Sequence, residues 1–68
     1  METEQWGRRI RAFRKLKGYT QVDFAKELGI SLSILGEIER ESRVPSQDLI
    51  MKVSKKLDVS IEELMEIN

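Results

Sequence analysis

The chain has 68 residues, with 12 basic and 12 acidic side chains and neither cysteine nor histidine. A single domain of this size buries only about 60% of the surface its unfolded chain exposes, and without thiols or imidazoles it has no disulfide staple or ordinary zinc site, so apolar packing must hold the core. No stretch is apolar for long enough to span a bilayer, and Glu2 and Glu4 stand where a signal peptide carries bases, so a soluble, cytoplasmic protein without a membrane partner is expected.

Gly18, Gly29 and Pro45 punctuate the chain, with Asp58 a weaker break, and the pieces between them have helical rather than alternating apolar spacing. The first helix is predicted over about residues 5–17, where Trp6, Ile10 and Phe13 form an apolar stripe and Arg8, Arg11 and Lys15 cover the other side. Gly18 then supplies the stop after a basic last turn. A second helix, about 21–28, opens at the N-cap Thr20, with Asp23 as a weaker relative of the capping-box acid. Its apolar positions are Val22, Phe24, Ala25 and Leu28, and Gly29 ends it. It is too short to persist alone in water, so its neighbours must hold it.

The third helix, about 31–40, is capped by Ser31. Leu35 and Ile38 face the core, with Ile34 on that flank or beside it, and Leu32, Ser33, Gly36, Glu37 and Arg40 are left outward. After a loop from Glu41 to Pro45, a fourth helix runs about 46–57 with Ile50, Val53 and Leu57 inside. Ser60-Ile61-Glu62-Glu63 is a full capping box opening a fifth helix, about 61–67, with Leu64 inward. The expected fold class is all-α: a compact five-helix bundle in one domain, residues 1–68.

Charge along the chain is uneven. Residues 1–20 hold six bases and two acids, residues 21–40 two bases and four acids, and residues 41–68 four bases and six acids. A neutral total thus conceals a basic first helix, which can set a positive face against phosphates.

Thr20 to Ile38 is the informative stretch: a short helix, a turn opening with glycine, then a second capped helix. Ala25 is small where the helices must approach, Gly29 can take a positive φ, and Ile30 can plug the angle between them. The run Thr20-Gln21-Val22-Asp23-Phe24-Ala25-Lys26-Glu27-Leu28-Gly29-Ile30-Ser31 resembles the XRE family, the lambdoid phage repressor and Cro-like DNA-binding domains. So do Ile38-Glu39-Arg40, Arg43-x-Pro45-Ser46 and Val59-Ser60-Ile61-Glu62-Glu63-Leu64. The resemblance spans about residues 6 to 65, and its motifs are specific in combination.

It implies a lambda repressor-like helix-turn-helix that enters the major groove of double-stranded DNA, commonly as a homodimer, in a transcriptional regulator acting as a repressor. By the same resemblance, Leu32, Ser33 and Glu37 are the expected base contacts, and Gln21, Ser31, Arg40, Arg43 and Ser46 the expected phosphate contacts. Arg14 and Glu39 match a structural ion pair between the first and third helices. The apolar Leu64, Met65 and Ile67 are expected to supply a two-fold interface, helped by the fourth helix. With no effector domain in the chain, regulation is expected from dimerisation, abundance or a partner.

Two features depart from the family pattern. No Arg, Lys, Asn or Gln, the side chains that make strong bidentate base contacts, occurs from Leu32 to Ile38. Leu32 suits a thymine methyl and Glu37 a cytosine amino group, so modest specificity shared with DNA shape is expected. Glu41 occupies the position after Glu-Arg where the family has glycine, and where positive φ is often needed. The rival reading is a protein–protein interaction module on the same scaffold, favoured by the neutral charge and by Glu37. An enzyme, a cofactor and a metal site are not expected, because no catalytic constellation can be assembled from these residues.

Overall fold

A computed structural model describes residues 6–65 of the chain. Among them the fold is all-α, with no strand: α1 (Trp6–Leu16), α2 (Gln21–Leu28), α3 (Leu32–Glu39), α4 (Gln47–Leu57) and α5 (Ile61–Leu64). Four hydroxyls start four of these helices. Thr20, Ser31, Ser46 and Ser60 accept from the backbone N–H groups of Asp23, Ile34, Leu49 and Glu63 at 3.0, 3.1, 3.2 and 3.1 Å. Each such cap stabilises a helix by about 1 kcal/mol. The Glu63 carboxylate completes the capping box by accepting from the Ser60 N–H at 3.0 Å.

The four longer helices end alike. Gly18, Gly29, Glu41 and Asp58 each adopt positive φ, and each lies in a paired 6→1 and 5→2 hydrogen-bond arrangement that closes the preceding helix. For α3 the bonds run from the Ser42 N–H to the Glu37 carbonyl at 2.9 Å and from the Glu41 N–H to the Ile38 carbonyl at 3.0 Å. Glycine makes this turn without strain. Glu41, at φ 64°, makes it with a Cβ present.

Phe24, Ile10, Leu28, Leu35, Ile38, Val53, Leu57 and Leu64 form the centre of the core, with Trp6, Ala25 and Ile50 around them. Tyr19 lies over Phe24, ring centroids 5.1 Å apart. The predicted stripe of α1 needs correction: Trp6, Gly7, Ile10 and Arg14 are its buried residues, while Phe13 is half-buried at the margin. Val22, expected among the apolar contacts of α2, is exposed. Gly36, expected outward, is buried, because the Arg40 guanidinium folds back over it. The fifth helix is shorter than expected: Met65 is extended, so α5 stops at Leu64. The expected start at residue 5 and end at residue 67 lie outside the described residues.

Gly7 sets how close α1 comes to α3. A Cβ at this position would overlap the Ile38 carbonyl oxygen. Only a hydrogen there allows the backbones to touch, which fixes the pose of α3 against α1.

Candidate nucleic-acid interface

The inner side of α3 anchors it and the outer side presents it. Leu35 and Ile38 are sunk into the core and Glu39 is buried beside them. Leu32 and Ser33 are exposed at the N-terminal end, Glu37 is half-exposed one turn later, and Arg40 is exposed at the C-terminal end. The short α2 braces this ridge from behind through Phe24, Ala25 and Leu28.

The expected ion pair is present. Arg14 donates from Nε to Glu39 Oε2 at 2.6 Å, from Nη2 to Oε1 at 3.1 Å, and from Nη1 to the Tyr19 carbonyl at 2.8 Å. The two side chains are 6% and 1% exposed, so the forked geometry is what keeps both charges tolerable in the interior. The same carboxylate accepts a further bond from Gln21 Nε2 at 3.0 Å. A carboxylate only accepts, so the Gln21 amide nitrogen must face it, which leaves one of its two N–H groups for another partner.

Gln21 and Arg40 border an open furrow of about 420 Å³ floored by Arg14 and Glu39 and flanked by Arg11. A second furrow beside it is lined by Arg8, Arg11, Ala12 and Lys15, with the paired Glu39 at its edge. The basic face of α1 therefore adjoins the first turn of α2 and the last turn of α3. That placement joins three separate sequence segments into one positive strip.

The α3–α4 loop turns back onto Glu37. The Ser42 hydroxyl donates to the Glu37 carbonyl at 3.1 Å, and Arg43 Nε donates to Glu37 Oε1 at 2.6 Å, with the Arg43 and Glu37 side chains 49% and 37% exposed. Glu37 thus meets a base of its own chain. Ser31 and Ser46 are exposed, and their oxygens are occupied as helix caps while each hydroxyl hydrogen stays available to donate.

One residue of the expected two-fold interface needs correction. Leu64 is fully buried against the core and has no surface to offer a second copy. Met65 is half-buried and packs against the same core, and Ile67 lies outside the described residues. The surface next to α5 is instead carried by Met51 and Ile61, with Asp48, Lys52 and Lys55 around them.

Three contacts escaped the sequence reading: the Gly7 approach, the Gln21–Glu39 bond and the double hold on Glu37. Gly7 carried a usable signal. It precedes Arg14 by seven residues, so it shares the face of the ion pair, and glycine is unfavourable in a helix interior unless something needs the space. No metal-binding cluster of carboxylates occurs among the described residues, and none of their helices is long and apolar enough to cross a membrane.

The Helix-turn-helix family model (HTH_3) matches residues 10–64. Among curated proteins, the uncharacterized HTH-type transcriptional regulator YazB of Bacillus subtilis is 66% identical over 64 residues, spanning 94% of this chain and 93% of its own. The HTH-type transcriptional regulator SinR of the same organism is 41% identical over 61 residues, and the match spans only 55% of its length. Among solved structures, SinR in complex with DNA has a TM-score of 0.80 at 42% identity, covering 87% of this chain and 95% of that one. The P22 c2 repressor in complex with a synthetic operator has a TM-score of 0.83 at 31% identity, covering 94% and 97%.

Proposed function

The chain belongs to the helix-turn-helix family of transcriptional regulators, and from that membership we propose that it binds double-stranded DNA with α3 in the major groove and represses transcription from there. The observation that carries this is the α3 ridge with a positive strip on its flank. Leu32 and Ser33 at the leading end read base edges, and Glu37 accepts from an exposed cytosine amino group. Gln21 offers its remaining N–H to a phosphate, Ser31 and Ser46 offer hydroxyl hydrogens, and Arg40 and Arg43 supply charge along the backbone. Recovery of duplexes from a random pool tests the reading. Ser33→Ala should change which duplexes are recovered, whereas Arg40→Ala should weaken all of them alike and reduce the salt dependence by about one phosphate contact. Binding to a protein partner with no steep salt dependence would favour an interaction module instead.

The proposed assembly is a two-fold dimer through α4 and α5. Met51 and Ile61 form the apolar part of that surface, and Asp48 and Lys55 lie two turns apart on α4. An antiparallel pairing of α4 with its copy sets Asp48 against the partner's Lys55 twice, with Met51 near the axis. Sedimentation equilibrium should show mass rising with concentration, and Met51→Lys should hold the chain at monomer mass.

A further inference from the structure

We infer that Glu37 sets specificity by holding Arg43, and that the pair is closed on non-cognate DNA and opens only on a cognate site. The inference rests on the DNA-binding reading above. Glu37 and Arg43 are suited to different DNA groups, a base donor and a phosphate, yet they are bonded to each other at 2.6 Å.

The hold on Glu37 is built from backbone as well as side chain. The Ser42 N–H and hydroxyl both bind the Glu37 carbonyl, at 2.9 and 3.1 Å. Glu41 takes φ 64° to let the chain double back that far. The loop therefore delivers Arg43 over the outer side of α3, where its Nε meets the Glu37 carboxylate. Both side chains are substantially exposed, so the pair is weak enough to exchange partners.

The two charges constrain each other on DNA. An isolated carboxylate on a groove-facing helix repels the phosphates on either side, and an isolated arginine binds any phosphate regardless of sequence. Paired, the two present a nearly neutral unit that gains little from random DNA. A cognate duplex carries a cytosine amino group in reach of Glu37, which replaces Arg43 as the donor to the carboxylate. The guanidinium is then released to a phosphate. The phosphate contact is thereby made conditional on the base contact, and a ridge without bidentate base readers gains discrimination that its side chains alone do not supply.

The experiment measures affinity for two duplexes over a salt series: one recovered by selection with the unaltered protein, and a shuffled sequence of the same composition. Glu37→Gln should raise affinity for the shuffled duplex several-fold. Its slope of log affinity against log salt should steepen by about 0.9, one additional phosphate. The ratio of selected to shuffled affinity should fall by about tenfold. In an Arg43→Ala background, Glu37→Gln should leave the slope on the shuffled duplex unchanged. An equal steepening with and without Arg43 would show that Glu37 acts as a bare charge and would overturn the inference, as would no steepening in either. If the unaltered protein binds no duplex in a salt-dependent way, the DNA-binding reading itself fails and takes the inference with it.

Discussion

Two arginine–glutamate pairs sit on opposite sides of α3 with the same Nε–O distance of 2.6 Å, and they do different things. Arg14 with Glu39 is buried, forked, and bonded also to Tyr19 and Gln21. Arg43 with Glu37 is outside, and its guanidinium donates to the carboxylate from Nε to Oε1. Distance alone does not rank them. In the interior, neither charge has water as an alternative partner, so loss of one strands the other. At the surface, water solvates whichever partner is left, and the pair contributes about 0.2–1 kcal/mol at most. The inner pair therefore belongs to folding, and the outer pair is free to respond to a ligand.

The largest expected effect breaks the inner pair. Glu39→Ala should destabilise the domain by about 3–5 kcal/mol, by leaving Arg14 buried and unpaired. Against the thin margin of a domain this small, that leaves much of the chain unfolded at room temperature, as read by far-ultraviolet circular dichroism. A loss below about 1 kcal/mol in urea unfolding would show that water reaches Arg14 easily.

Next comes the contact that seats α3 against α1. Gly7→Ala should cost about 2–3 kcal/mol, because the added methyl meets a backbone carbonyl that no rotamer change can move. An unaltered urea midpoint would mean that α1 slides without penalty.

On the loop between the two pairs, Glu41→Gly should stabilise by about 1 kcal/mol through relief of the positive φ. For a domain of this length that raises the melting temperature by about 4–8 °C. A lower melting temperature would mean that the Glu41 side chain, which lies against Gly7, holds α1 and α3 together more than its backbone strains them.

The smallest effect is expected at the outer pair. Glu37→Gln should change unfolding free energy by less than about 0.5 kcal/mol while altering DNA binding as described above. A loss comparable to that of Glu39→Ala would erase the distinction between the two sides of the helix.

Helix number, order and caps were legible because they are written locally. Thr20, Ser31, Ser46 and Ser60 each sit immediately before a helix, and a hydroxyl at that position satisfies an N–H three residues on whatever the rest of the chain does. The inward residues of α3 and α4 were equally legible from their spacing. The pairing of Arg14 with Glu39 was reached differently, through likeness to a family, since 25 residues of sequence separate the two. The dimer assignment failed at Leu64 because apolar character near a chain end says nothing about which copy buries it. In α5 the capping box orients a single turn, and that turn aims Leu64 into its own core.

What the sequence determined by itself was the set of elements that depend on neighbours a few residues away: five helices and the hydroxyl caps of the last four, whereas the positive φ at Glu41 was reached through likeness to a family. Tertiary structure alone decided which charges meet. Glu37 and Glu39 are two residues apart on one helix, so they point to opposite sides. Packing of α3 against α1 and α2 fixes which of those sides is dry, and hence which carboxylate is structural and which stays free to exchange its partner.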